Sequence, residues 1–524
     1  MKQLFCLAIL SGFSFFGCSS SGFYKENAIN LITPELARKH ISFLASDSLM
    51  GRRTPGPWLD SAAAYISGEF NSCGLKCANG SYFQKVNLGI ITLGTGNQLV
   101  IYKNGGQNSY KIKTEFTPFE MTANNEVTAP VVFAGYGITA PEYNYDDYKG
   151  VDVKDKIVFV MRHEPGEEDS SSVFQGTKPT VYSQVREKVK NAINHGSRGI
   201  IIAQDPLNHT SLSPRGFPWP SLSETIPQDA LPVSLIGDET GKIPVVQAGK
   251  EIINELFGSV ANLKELQRTI DAKTSPHSFA LPEVRTFLKT NTVVTETPAY
   301  NVIGIIEGSD PILKNEAVVI GAHYDHVGYV KDHKPGTDFI FNGADDNASG
   351  TGGLLVLAKA LGALEQKPKR TIILIAFAGE ELGLLGSSFY VNNPVIPIER
   401  TVAMLNMDMI GRNNPDSLYI IASSRSPELA RINQEENENI GFKLAYNQEQ
   451  HSGGSDQASF LNKGVPSIFY NTGMEADYHK VSDEVSRIDF TKTSRVAKLV
   501  FLTALRIAND IHYNRSVPKQ ISQK

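Results

Sequence analysis

The chain has 524 residues, 41% of them hydrophobic and 20% charged, and its net charge is −5. A length well beyond a single ordinary core predicts two domains. The mildly acidic balance offers no basic footprint, so neither DNA nor RNA is an expected partner.

Residues 1–18 read as an export signal. Met1-Lys2-Gln3 precedes an apolar run from Leu4 to Phe16, then Gly17-Cys18 and three serines. That run is too short for a spanning helix, and no later segment supplies the ~20 uncharged apolar residues a span requires. The segment resembles a bacterial lipoprotein signal in which Cys18 becomes the lipidated N-terminus, although Phe15 stands where such signals usually carry Leu. The expectation is an exported protein held on the periplasmic or outer-membrane side of the cell envelope by lipid only, or secreted.

Apolar residues at helical spacing predict helices over 33–49 and 58–73, with Thr33 as N-cap and Pro34 at the first helical position. Between them GRRTPGPW (51–58) is a turn-rich connector whose two arginines are most simply solvated. Cys73 and Cys77 are close enough to form a small disulfide loop or to stay free. From about Val127 short β-branched runs take over: 129–138, 156–162, 200–205 and 231–237, with one helix over 185–194. These are assigned to a module inserted at 122–275 within a host domain formed by 30–121 and 276–515. Lys154-Asp155 and the loop around Pro214-Arg215-Gly216-Phe217 contain no convergent chemical cluster, which leaves the insert as a binding or gating module or a structural one.

After residue 295 apolar strands (301–308, 317–324, 371–378, 401–408, 465–471) alternate with helices (350–361, 381–390, 426–441). That alternation predicts an α/β three-layer sandwich with a mostly parallel central sheet, whose ligand-binding loops follow the carboxyl ends of the strands. Five segments at those positions carry metal-binding or proton-handling side chains: GAHYDHVG (321–328), GADDNASG (343–350), FAGEELGLLG (377–386), NMDMIG (406–411) and DYHKVSD (477–483).

His323 and Asp325, two apart in extended chain, share a face, so Asp325 is placed to orient the imidazole. A carboxylate has two oxygens to bridge two cations, and Asp345 is the bridging candidate. Glu380 and Glu381 converge at a strand-to-helix bend, one to bind metal and one to take a proton from water. Asp408 ends a strand, and His479 has Asp483 nearby to orient it. The three negative charges of Asp345, Glu381 and Asp408, with a hydroxide, balance two divalent ions, and histidines among carboxylates favour zinc over magnesium. Singly each segment reads as an ordinary turn, helix start or packed histidine; their repeated placement at strand ends gives them joint meaning.

These motifs, together with DSLMGRRTPG, closely resemble the co-catalytic zinc aminopeptidases of peptidase family M28, in particular bacterial members with an inserted protease-associated domain. The resemblance covers nearly everything after the signal. It implies two zinc ions per chain, one held by His323, Asp345 and Asp408, the other by Asp345, Glu381 and His479. It further implies a cis Asp345–Asp346 peptide, Glu380 as general base and acid, and a water activated between the zinc ions that attacks the peptide carbonyl. The implied substrates are peptides with a free N-terminus. Asp346, Asp456 and Tyr470 are second-rank candidates, Tyr470 facing the oxyanion pocket. Many relatives have Ser-Asp-His where this chain has Ser455-Asp456-Gln457. Three alternatives stay open: a carboxypeptidase using Arg412 for the terminal carboxylate, a glutaminyl cyclase, and a noncatalytic peptide-binding module.

Overall fold

The computed structural model describes residues 27–214, 232–236 and 242–515. The export signal, Cys18 and Arg215-Gly216-Phe217 lie outside them. Two eight-stranded sheets carry the architecture.

The first is the expected α/β sandwich. Its central strands run in the order Thr371–Phe377, Ala317–His323, Thr401–Met407 and Ser467–Asn471, all mutually parallel. Antiparallel partners flank them, including Ala299–Ile306 on one side and Ser417–Ile421 on the other. The sheet is therefore mixed overall and parallel where the site lies.

Period-2 side-chain alternation explains the three layers. Val318, Ile320, Ile372 and Leu374 pack with the helices Pro34–Leu44, Pro57–Ser72, Gly350–Gly362 and Phe490–Asn509. Val319, Ile373, Ile375 and Phe377 point the other way, against Tyr390 and Phe460. With both faces covered, the strands are nearly continuous apolar runs. Thr33 caps the first of these helices, accepting from Leu36 N at 3.2 Å. Phe490–Asn509, which periodicity reading passed over, is capped by Asp489.

The second sheet is wider than the expected insert. Strands Gln98–Lys103, Gly106–Ser109, Phe116–Pro118 and Ser278–Thr290, all outside 122–275, complete a sheet with Asn125–Ala134, Ile157–Met161, Gly199–Ala203 and Val245–Ala248. The boundary moves because Ser278–Thr290 pairs along both of its edges, a nonlocal relation that composition does not reveal. Residues Val233–Leu235, a strand expected within the insert, pair antiparallel with Leu88–Leu93 in a separate three-stranded sheet. Cys73 and Cys77 are free thiols. Among the described residues no helix is long and apolar enough to cross a membrane.

The connector 51–58 also departs from expectation. Arg52 is buried, not solvated. It donates from Nε to the Tyr324 carbonyl (2.9 Å), from Nη1 to the carbonyls of Leu44 and Asn342 (2.6 Å each), and from Nη2 to that of Gly343 (3.0 Å). Burial brings its pKa down to about 10, although Asp346, Asp325 and Asp483 act to raise it. Arg53 donates to the Val327 and Tyr329 carbonyls. The pair thus fastens the 324–329 loop, and Arg52 also fastens the 342–343 turn, to the first helical layer.

Substituting Arg52 by Met leaves four carbonyls without this donor. Each unsatisfied buried polar group costs about 1–3 kcal/mol, so a loss of at least ~3 kcal/mol is expected in urea denaturation. An unchanged denaturation midpoint would remove Arg52 from this role.

Candidate metal centre

All five chemical segments meet at the carboxyl ends of the parallel strands. His323 is the last residue of its strand, and Asp408 directly follows Thr401–Met407. Glu380 and Glu381 sit in a turn closed by Gly383 N and Leu384 N on the Glu380 carbonyl, 2.9 Å each. The helix expected from Glu381 begins only at Leu385, so both acids lie in the bend.

Asp346, not Asp345, reaches the centre. Its Oδ1 lies 3.3 Å from His323 Nε2, and its Oδ2 3.1 Å from His479 Nε2. His323 Nε2 is also 3.3 Å from Asp408 Oδ1, and His479 Nε2 is 3.0 Å from Glu381 Oε2. The cis peptide correspondingly joins Asp346 and Asn347 rather than Asp345 and Asp346. Asp345 turns away, its Oδ1 accepting from Gly411 N at 2.7 Å.

The turn bearing Asp346 is fixed on every side. Asn347 Nδ2 donates to the Met407 carbonyl (3.0 Å), its Oδ1 accepts from Met409 N (3.2 Å), and Thr351 Oγ1 donates to the His323 carbonyl (2.6 Å). Gly343 enters the turn at φ 57°, where an added Cβ would lie 2.2 Å from the Asp346 carbonyl oxygen. Only glycine fits that approach.

Asp483 was expected to orient His479. Its carboxylate instead accepts from the backbone of Asp345 (2.9 and 3.0 Å) and of Asp346 (3.1 Å). Asp325 lies near His323, its carbonyl 3.2 Å and its carboxylate 3.7 Å from Nδ1. Asp325 also accepts from Thr54 Oγ1 (3.0 Å) and from Glu380 N (3.2 Å), tying the two acidic loops together.

Tyr470 does not face the centre. It is buried in the helical core, donating to Asn433 Oδ1 at 2.7 Å, because strand alternation sends it to the far side. Asp456 is fully buried and does not line the cleft, and burial pushes its carboxyl up to about 7. Gln457, the departure from Ser-Asp-His, accepts from Asn406 Nδ2 (2.9 Å) and donates to the Ser452 carbonyl (3.0 Å).

Two contributors were missed in the sequence. His326 Nδ1 contacts Glu381 Oε1 at 2.8 Å and lies 3.8 Å from Asp346 Oδ2. Thr54 Oγ1, besides holding Asp325, accepts from Gly379 N at 3.1 Å. Their only sequence signal is proximity to motifs already singled out: HYDH and RRTPG.

The donor set fits divalent ions. Among the described residues, buried His323 Nε2, Asp408 Oδ1 and His479 Nε2 have no hydrogen-bond partner although they converge. Tetrahedral ligands at zinc distances stand about 3.3 Å apart, and the four separations through His323 and His479 are 3.0–3.3 Å. The ligand atoms form two groups sharing Asp346, namely His323, Asp346 and Asp408, and His326, Asp346, Glu381 and His479, and a third group of His323, Glu380 and Glu381 overlaps them. Against burial, Asp346 and Glu381 push His479 up to about 10, and His326 and His479 hold Glu381 down to about 2. The carboxylates thus demand positive charge here. Burial raises the Glu380 carboxyl well above its usual range, and neighbouring Glu381 and Asp408 add to that despite His323.

The centre opens on a cleft with about 690 Å³ of empty space, walled by Met409, Ile421, Phe469, Met474 and Tyr478 and floored by Asp346, Glu380 and Asp408. No Lys or Arg is among its described lining residues. Arg412, the candidate for a terminal carboxylate, donates to Asp477 Oδ2 (2.7 Å) and sits 3.0 Å from Glu475 Oε2.

Comparison with known proteins gives this geometry a family. Residues 301–504 match the model of peptidase family M28, and residues 127–253 match the PA domain. Aminopeptidase YwaD of Bacillus subtilis is 27% identical over 403 residues, 74% of this chain and 71% of that protein. A probable glutamate carboxypeptidase of Arthroderma benhamiae is 27% identical over 411 residues, 68% of this chain but 51% of its own length. An aminopeptidase from Aneurinibacillus sp. strain AM-1 shares the fold, with a TM-score of 0.54 at 21% identity over 93% of this chain and 96% of that one. Residues 301–504 thus carry the fold of an M28 metallopeptidase, with a PA domain matched at 127–253 and a ligand cluster fit for two metal ions, the marks of a metal-dependent peptidase.

Proposed function

We propose that the protein is an aminopeptidase holding two zinc ions, one among His323, Asp346 and Asp408, the other among Asp346, Glu381 and His479. Bound there, the ions supply Lewis acidity toward water and the scissile carbonyl. Asp346 serves both groups, which its two oxygens permit. His326 fixes Glu381 through Nδ1, and Asp325 steadies His323 and the backbone of Glu380. Glu380 lines the cleft outside the two groups built on Asp346, its Oε2 3.9 Å from His323 Nε2, where its carboxylate takes a proton from water and returns it to the leaving amine.

The observation carrying the aminopeptidase reading is the acid-floored cleft with no Lys or Arg among its described lining residues. With Asp346 and Asp408 neutralised by the ions, Glu380 is the remaining floor acid to meet a substrate ammonium, and no Lys or Arg among the described lining residues is there to pair a terminal carboxylate. Its apolar walls suit an apolar N-terminal side chain. Arg412, engaged by two acids, is a poor anchor for a carboxypeptidase substrate. The N-terminal signal supports placing the enzyme at the cell envelope, anchored through Cys18.

Product analysis on matched peptides tests the reading. Peptides with a free N-terminal Leu or Met are expected to lose that residue, while their N-acetyl counterparts stay intact. Release of C-terminal residues from the acetylated peptides would overturn it.

A further inference from the structure

The inserted domain carries a second cluster of metal-binding side chains, well separated in sequence from the peptidase motifs: His163, Glu167, Asp205 and His209. It lies at the carboxyl ends of two paired parallel strands. Met161 and Ala203 stand opposite each other as the last residues of Ile157–Met161 and Gly199–Ala203, so His163 and Asp205 leave the sheet side by side, two residues farther on. Each is followed four residues later by the other kind of ligand, giving His-x3-Glu and Asp-x3-His.

The four side chains close on a common point. His163 Nδ1 lies 2.5 Å from Asp205 Oδ1 and 3.7 Å from Glu167 Oε2. His209 Nε2 lies 2.7 Å from Glu167 Oε1 and 3.6 Å from Asp205 Oδ2. The two imidazoles stack at 4.0 Å, and all four ligand atoms fall within 4.8 Å of one another.

Asp205 supplies an independent indication. Its side chain has no solvent exposure, yet Oδ2 has no hydrogen-bond partner among the described residues. A buried carboxylate oxygen facing an imidazole without a bond is costly unless a cation completes it. The surroundings brace the ligands: Asn208 Nδ2 donates to Glu167 Oε1 (3.0 Å), His209 N to the Asp205 carbonyl (3.1 Å), and the buried Lys188 Nζ to the His163 carbonyl (2.6 Å). Support of this kind holds ligands in place around an ion.

We propose that the inserted domain binds a divalent transition-metal ion of the zinc class through His163, Glu167, Asp205 and His209. Two imidazoles with two carboxylates select such an ion over magnesium or calcium, which prefer oxygen alone. Two carboxylates neutralise its charge, and four protein ligands mark a structural rather than a hydrolytic site. The ion would fasten the loops after the two strands to each other.

Metal analysis of the full chain, equilibrated with zinc and freed of loose ions on a weak chelating resin, tests this. The His163→Gln/His209→Gln protein is expected to hold one equivalent less than the wild type and to turn over peptide amides at the same rate. The difference is independent of how many ions the peptidase centre holds. Should the double variant fail to fold, Asp205→Asn, which keeps the shape and removes the charge, is expected to lose the same equivalent. Equal zinc content in the wild type and a folded variant would overturn the proposal and leave a histidine–carboxylate hydrogen-bond network in its place.

Discussion

Glu380→Gln is expected to lower turnover by at least ~100-fold, the usual contribution of a positioned general base, with metal content unchanged. The amide keeps the shape of the side chain but cannot accept water's proton. Glu380 is in the cleft lining, whereas the groups built on Asp346 are completed by Asp408 on one side and by Glu381 and His479 on the other. Loss of metal in this variant would make Glu380 a ligand, and retention of full turnover would remove it from proton transfer.

The second large effect separates two adjacent residues. Asp346→Ala deprives both ligand groups of their shared carboxylate. It is expected to release at least one equivalent of metal and to lower activity by more than the 10–100-fold typical of residues that merely support ligands. Asp345→Asn is expected to keep both metal and activity. Burial and the nearby Asp483 push the Asp345 carboxyl well above its usual range, and an amide oxygen can still accept from Gly411 N. Metal analysis with peptide-amide kinetics on the two variants reads the contrast. The opposite pattern would return the bridging role to Asp345.

That one-residue shift shows where sequence reading stops. Strand-end placement identifies His323, Glu380, Glu381, Asp408 and His479 as a group, because an apolar run followed by a polar residue has a spatial meaning in a parallel sheet. Asp345 and Asp346 sit in a turn, where no periodicity says which carboxylate faces the strands. The choice is made by hydrogen bonds from Met409 and Gly411 and to Met407, all some 60 residues away.

Arg52 was misread for a related reason. A Gly- and Pro-rich connector usually runs over the surface, and nothing local reports that the Leu44 carbonyl and three carbonyls from two segments some 270–290 residues away converge on it. Tyr470 belongs to a strand buried on both faces, where an aromatic side chain carries no mark of its side. His163-x3-Glu167 and Asp205-x3-His209 are unremarked half-sites until parallel pairing of their strands joins them. The α/β sandwich was legible because its apolar runs are long and alternate with helices. The insert's outer strands were not, because Ser278–Thr290, which joins the hairpin of Gln98–Lys103 and Gly106–Ser109 to the sheet, lies far off in sequence.

Anomalous diffraction from crystals of the full chain at the zinc absorption edge tests the central claim most directly. The account predicts two peaks in the peptidase centre about 3.5–4 Å apart, one among His323, Asp346 and Asp408 and the other among Asp346, Glu381 and His479, with one Asp346 oxygen on each. A single peak there, or two peaks bridged by Asp345, would contradict it.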